Sequence, residues 1–365
     1  MTGGRTSRLP RSLHPGAWWL WAIGLAAATT QTTNPLVLVL LVSAAALVVL
    51  FRRGDAPWAG GFKAYAVLAL VIIATRVVFR VLLDGQHGAH VLFTLPEIPL
   101  PEAAAGIRIG GPVTAEGLLA ALYDGLRLAA LLLCVGAANV LADPKRLLRS
   151  TPAALHEVSV AVVVSLTLAP QLVESGRRVH RARKLRGGSA RRMGLVHRVL
   201  IPVLTDALDR SLLLAAAMDS RGFGRQAAVA ARDRALTGLL LLVGLVGIAV
   251  GAYGLLDASA PLAFKAPMLA VGLAAAVAGL IRSGRRIERT RFRREPWRWE
   301  ETAVVASGLA VAALFILVGS RSQAVLGVPS PIVSWPTLPL VGVLGAAVAL
   351  APAVLAPPVR WTAER

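Results

Sequence analysis

Residues 35–51 read PLVLVLLVSAAALVVLF, and this stretch decides the fold class. From Leu36 to Phe51 the one polar residue is Ser43, no residue is charged, and polar and apolar positions do not alternate. A strand of a membrane barrel alternates with period two, whereas a helix surrounded by lipid is apolar on every side. The run approaches the ~20 residues with which a helix crosses ~30 Å of hydrocarbon. Without water to bond exposed amides, the helix is the structure that satisfies its own backbone there.

Comparable runs recur at Ala17–Thr32, Ala64–Leu83, Leu118–Ala142, Leu236–Leu256, Ala266–Ile281, Thr302–Gly319 and Leu338–Val359. The 365 residues are 56% hydrophobic and 16% charged, against roughly 25% charged in a soluble domain. The sequence therefore predicts an all-α polytopic membrane protein with about eight transmembrane helices. Val158–Val173 is also apolar, but counting it as a ninth span would carry a basic flank to the outside, so it is read as a helix in the interface or packed under the bundle. A short tilted span is the other reading of that run.

The net charge of +20 raises the question of nucleic acid. A nucleic-acid footprint would place basic residues on a folded soluble surface, and here they flank apolar spans instead. With the amino terminus inside, the cytoplasmic pieces are 1–16, 52–63, 143–235, 282–301 and the tail, and they hold 33 of the 39 Lys and Arg. This orientation makes the protein a multi-pass cell-membrane protein whose amino terminus and basic centre are cytoplasmic. Arg5, Arg8 and Arg11 before the first apolar run also give the outline of a secretory signal.

The chain divides by charge into residues 1–142, a four-span bundle; 143–235, a cytoplasmic unit; and 236–365, four further spans around a basic loop. The outer segment Asp84–Gly117 carries several prolines and glycines, which predict an extended, ordered lid. Asp143-Pro144 reads as an N-cap followed by a first-turn proline. Glu174–Leu185 is patterned as a helix ended by Gly187-Gly188, and a second helix is expected from Val203 to Ser220, with Asp206 and Arg210 at i,i+4 and Gly222 as terminator. Both helices end in Arg-Gly, at Arg186-Gly187 and Arg221-Gly222. An arginine before a left-handed glycine projects beyond the helix end and can reach a carboxylate bidentately; an arginine there also simply complements the helix dipole.

The stretch Leu214-Ala215-Ala216-Ala217-Met218-Asp219-Ser220-Arg221-Gly222-Phe223-Gly224, preceded by Arg186-Gly187 and Leu200-Ile201-Pro202-Val203-Leu204, resembles the coupling region of the energy-coupling factor (ECF) transporter transmembrane (T) component, the EcfT/CbiQ-like family. Leu13-His14-Pro15, Asn34-Pro35, Leu126-Arg127-Leu128 and Asp143-Pro144 support it, and the similarity covers roughly residues 10–260. The resemblance makes residues 143–235 a coupling unit with two coupling helices. It implies a coupling subunit that transmits the motion of two partner ABC ATPase subunits or domains to a membrane S component for vitamin or metal-ion uptake. The ATPase-docking residues it implies are Arg186, Gly187, Ser220, Arg221 and Gly222. Leu185 and Ser220 stand where the family usually has Ala, and Ala182-Arg183-Lys184 offers a rival register for the first motif. The S component would meet apolar positions such as Val162, Leu166, Leu204 and Leu208.

No Gly-x-x-x-x-Gly-Lys-Ser/Thr run is present, so a nucleotide and its hydrolysis are expected in the partners, and no cofactor is expected in this chain. No nucleophile and base arrangement or carboxylate pair marks an enzyme. His87 and His90 form His-x-x-His with Gly85 and Gly88 interleaved and no third ligand, so no metal site is assigned. Asp124 and Arg127 can pair on one helix face, Arg76 and Arg80 can snorkel, and Cys134 is the only cysteine. The basic loop Arg282–Arg298, with Trp297 and Trp299, is read as an anchor at anionic headgroups. Two readings from other classes remain beside the coupling subunit: a self-sufficient secondary transporter, which would need a broken-helix substrate site, and a membrane scaffold.

Overall fold

The computed structural model describes residues 12–54, 60–83, 88–98, 109–150, 155–185, 192–223, 231–257, 259–284, 297–328 and 332–357. It is an all-α polytopic membrane protein with one small hairpin, and its helices form two compact units, Met1–Leu147 with Arg294–Arg365 and Leu148–Arg293. The contacts thus group the last helices with the first ones, across the sequence division at residue 236.

In the first unit the helices are α1 (Pro15–Thr30), α2 (Pro35–Arg52), α3 (Phe62–Leu83), α4 (Ala115–Leu141), α5 (Pro144–Arg149), α10 (Trp299–Arg321), α11 (Gln323–Leu326), α12 (Leu340–Ala349) and α13 (Ala351–Leu355). The α1, α2 and α4 starts share one construction. His14 Nδ1 accepts from the Gly16 amide at 3.1 Å, Asn34 Oδ1 from Leu36 at 3.0 Å and Thr114 Oγ1 from Gly117 at 3.2 Å. Each satisfies an amide that the first helical turn leaves open, and Pro15 and Pro35 fill first positions where no amide is needed.

The core of this unit contains Trp21, Leu25, Val37, Leu41, Val304, Val311 and Phe315, all with no exposed surface. Helix α10 lies against α1 so closely that a Cβ on Gly24 would overlap the Gly308 carbonyl, and one on Gly308 would stand 2.5 Å from the Trp21 Cα. In lipid, where apolar burial gives no driving force between helices, such small-residue contacts bring backbones into van der Waals range. Polar links fasten both ends. The buried Glu301 accepts from the His14 amide at 3.2 Å and from Arg298 at 3.0 Å; at the opposite end Thr32 donates to the Leu326 carbonyl at 2.8 Å and Asn34 to Thr337 at 2.8 Å. Arg52 donates to Ala353 at 3.1 Å and Pro357 at 2.9 Å.

Between α3 and α4 the expected lid is an antiparallel hairpin, β1 (Val91–Ile98) and β2 (Ile109–Thr114), with Val91 opposite Thr114 and Leu95 opposite Gly111. Pro96 and Pro112 sit in its strands, where a two-stranded ribbon leaves edges that need no donor.

The second unit holds α6 (His156–Leu185), α7 (Arg192–Ser220), α8 (Ala231–Leu256), a single tight turn at Leu262–Phe264 and α9 (Ala266–Gly284). Helices α8 and α9 pack through a glycine seam: a Cβ on Gly244 would stand 2.6 Å from the Ala276 amide and one on Gly251 2.5 Å from that of Leu269.

Among the described residues seven helices are long and apolar enough to cross a membrane, in line with the expected count of about eight; the first apolar run yields a helix of 16 residues and the last run is divided between α12 and α13. Two expectations are corrected. The Val158–Val173 run does not stop at Glu174 but continues through α6 for 30 residues, so that Val158–Ala182 is itself one of the seven. Charged residues do not end a helix, and that is why the apolar count underestimated it. Helix α7 likewise begins at Arg192, ahead of the expected Val203, with Pro202 inside it.

The Gly24 and Gly308 contact sets a packing test. Gly308→Ala is expected to destabilise the protein by about 1–3 kcal/mol through overpacking, read as a lower thermal midpoint in detergent. Gly238→Ala, in the same class of apolar helix but with nothing within 4 Å, should be neutral or gain up to about 1 kcal/mol from helix propensity.

Candidate functional site

The candidate site is carried by α6 and α7. Helix α7 stops by a specific device. Gly222 adopts φ 70°, its amide donates to Asp219 at 2.8 Å, and the next amide, of Phe223, reaches back to Met218 at 3.0 Å. This pair of bonds is the Schellman closure, which satisfies carbonyls left open at a helix end and requires a left-handed residue. Gly222 supplies it without a Cβ penalty. The expected terminator and the α7 end at Ser220 are both present.

Arg221 is the residue at the turn, and it is exposed. Among the described residues no carboxylate pairs with it. Ser220, beside it, donates its hydroxyl back to the Ala217 carbonyl at 3.0 Å, so that the hydroxyl is used within the helix. At the first motif α6 ends at Leu185, which is 88% exposed, and Arg186, Gly187 and Gly188 lie outside the described residues.

The two helices meet at a polar node. Ser175 of α6, 4% exposed, donates to Asp206 Oδ2 of α7 at 2.8 Å. Arg210 donates to Asp206 Oδ1 at 3.1 Å, the expected i,i+4 pair, and its Nη1 lies 3.5 Å from Gln171 Oε1. Arg178 stands 4.0 Å from the same carboxylate. Gln171, Ser175 and Arg178 thus meet Arg210 and then Asp206 in reverse order, so α6 and α7 run in opposite senses across their contact. Their C-terminal ends leave the node on opposite sides.

Spacing gave Asp206 and Arg210 but not Gln171, Ser175 or Arg178, whose part depends on contact between helices. Hydrogen bonding by Ser175, then by Arg210, holds the Asp206 carboxyl below its ordinary value of 3.8. Leu204 and Leu208 flank Asp206 on α7, Val162 and Leu166 lie further toward the start of α6, and all four are exposed in the single chain.

Other candidates resolve differently. His90 Nδ1 is 2.7 Å from Glu116 Oε1, while His87 lies outside the described residues, and no group of three metal-holding side chains occurs among the described ones. No ion pair joins Asp124 to Arg127 among the described residues, because Arg127 instead donates to the Thr30 carbonyl of α1. Trp297 and Trp299 are exposed, with Trp297 tilted against His14 at 5.3 Å, and most of the basic loop before them lies outside the described residues.

Residues 6–229 match the family of CbiQ, cobalt transport protein, a span that ends just beyond the α7 tip. The chain belongs to this family. Its similarity to a second protein falls in the same class: the energy-coupling factor transporter transmembrane protein EcfT of Leuconostoc gelidum subsp. gasicomitatum is 27% identical over 191 residues, 46% of this chain and 71% of that protein. The protein is therefore a membrane transport component of the CbiQ and EcfT type, and α8 to α13 lie beyond the family match.

Two outcomes follow for the site. Gly222→Ala forces a side chain into the left-handed region at a cost of roughly 1–2 kcal/mol, so amide exchange at residues 218–223 should accelerate while the rest of α7 is unchanged. Asp206 should titrate below 3.8, and Ser175→Ala should move its midpoint upward. Because the folded-state value is the lower one, the stabilisation is complete above the ordinary carboxylate range and is lost as pH falls through the depressed midpoint. Carboxyl-carbon chemical shifts across that range check both statements.

Proposed function

We propose that this CbiQ-family protein is the transmembrane coupling (T) subunit of an energy-coupling factor ABC importer. The observation that carries the reading is the α7 tip: a helix closed by Gly222 presents an exposed Arg221 with no carboxylate partner among the described residues. A planar guanidinium at that position fits an acidic recess on another protein, where two parallel hydrogen bonds fix direction as well as affinity. The opposite senses of α6 and α7 favour two such recesses, on two ATPase subunits or domains, one met by Arg221 and one by Arg186. Ser220 and Gly187 serve these tips as small neighbours that let a partner approach.

The chain contributes no nucleotide-binding loop and no catalysis in this reading; the ATPases hydrolyse ATP. An S component rests on the apolar surface that includes Val162, Leu166, Leu204 and Leu208, and nucleotide-driven closure of the ATPases moves α6 and α7 beneath it to release a vitamin or metal ion. The tips and the amino terminus face the cytoplasm. Basic residues support the orientation of the amino terminus, since Arg52, Arg53, Lys63, Lys145, Arg146 and Arg298 gather at the end of the first unit where α1 and α10 begin and α2 and α4 finish.

Charge reversal tests docking. Arg221→Glu, alone and with Arg186→Glu, is expected to abolish co-purification of the ATPases and substrate uptake, while the variant chain still reaches the membrane. Normal recovery of the ATPases with both variants, together with normal uptake, would exclude this function.

A further inference from the structure

We infer that Asp206 is a positioning residue that pins the crossing of α6 and α7, and through it the directions in which the two Arg-Gly tips point. The inference rests on the coupling role for its functional consequence, but the pinning itself is a property of this chain alone.

Three side chains meet at this carboxylate. It joins the two helices through the buried Ser175 hydroxyl and faces Arg178 from α6 and Arg210 from its own helix. Around the node both helices expose aliphatic side chains, among them Leu172, Val173, Leu204 and Leu208, and dispersion contacts of such side chains carry no directional preference. Hydrogen bonds do fix one. Proline stands within about a turn before the node on each helix, Pro170 ahead of Ser175 and Pro202 ahead of Asp206. Each removes an amide donor and weakens the helix where it approaches the crossing. Both helices are therefore weakened close to the bond by which the buried Ser175 hydroxyl joins them.

Leverage explains why the crossing matters. At 1.5 Å per residue, the α6 end at Leu185 lies ~15 Å from Ser175 and the α7 end at Ser220 lies ~21 Å from Asp206. A rotation of ~20°, the natural scatter of helix crossings, would swing the longer arm by about 7 Å. Such a swing takes an arginine out of reach of a fixed recess.

The charge count sharpens the consequence. One carboxylate faces two guanidiniums, so Asp206→Asn leaves Arg178 and Arg210 facing each other without compensation. Removing Arg178 as well should relieve that repulsion. An ordinary i,i+4 pair on a single helix makes no such prediction, because Arg178 belongs to the other helix.

The test uses the full chain in lipid nanodiscs, with Cys134→Ala and spin labels at Leu185→Cys and Leu213→Cys. Asp206→Asn should broaden or shift the distance distribution between the labels, Ser175→Ala should do so less, and Asp206→Asn with Arg178→Gln should return it toward the parent. In the assembled transporter, Asp206→Asn should lower both the recovery of the ATPases and substrate uptake, the latter by at least about fivefold, the lower end of ordinary coupling energies. A distribution unchanged in Asp206→Asn, or a change that Arg178→Gln does not reverse, overturns the pinning. A changed distribution beside normal ATPase recovery in Arg221→Glu leaves the pinning standing and removes the docking role instead.

Discussion

Helix ends in or beside lipid have no ready supply of water for their open amides and carbonyls, and closing those ends is the constraint on which this structure depends. His14, Asn34, Thr114 and Asp143 each turn a side-chain acceptor onto an amide of the helix that follows. Glu301 serves two open amides, Arg298 at the start of its own helix and His14 at the start of α1. One buried carboxylate therefore aligns the beginnings of two helices separated by most of the chain. The same requirement at a C-terminal end produces Gly222 and leaves Arg221 at the tip. Structural closure and presentation of the candidate docking residue are one feature of the backbone.

This accounts for the short motifs as well. His14-Pro15, Asn34-Pro35 and Asp143-Pro144 each pair a capping side chain with a proline at a first helical position where its missing amide does no harm. Their likeness to the family lies in helix starts, so they report on how the bundle is built rather than on what it binds. The Met-Asp-Ser-Arg-Gly-Phe stretch is different in kind, because the Gly222 and Phe223 amides close onto the Asp219 and Met218 carbonyls and leave the exposed Arg221 at the turn between them.

Much of the bundle was legible because lipid imposes a simple rule: long charge-free runs become helices. The rule fails where a helix leaves that environment. Helix α6 passes from Val173 into Glu174 without interruption, and a count of apolar residues cannot register a helix that outlasts its apolar part. The reverse holds for α10, whose apolar run was evident while its neighbour was not. Nothing in the spacing of Gly308 says that Gly24 will meet it, and nothing around Ser175 says that Asp206 will. Partners far apart in sequence are chosen by packing, so the two contacts that fix most of the geometry were the least legible. Arg186 is legible in the sequence alone, since it lies outside the described residues.

The region beyond the family match illustrates what packing adds. Residues after 229 are not part of the matched span, yet α10, α11 and α12 supply buried residues to the same core as α1 and α2. Trp21 donates its indole N–H to the Ala349 carbonyl at 3.3 Å, and Gly342 lies so near Val37 that a Cβ would stand 2.7 Å from its side chain. Helices held this tightly are not an appendage that could be removed without exposing Trp21, Val37 and Leu41. The faces of α1 and α2 that carry Trp21, Val37 and Leu41 are covered within the chain, while Ile23, Val39 and Leu50 on their other sides stay exposed. On α6 and α7 the exposed aliphatic positions Leu172, Val173, Leu204 and Leu208 lie beside the Ser175 and Asp206 bond, so apolar surface and the polar link between these helices share one stretch of each.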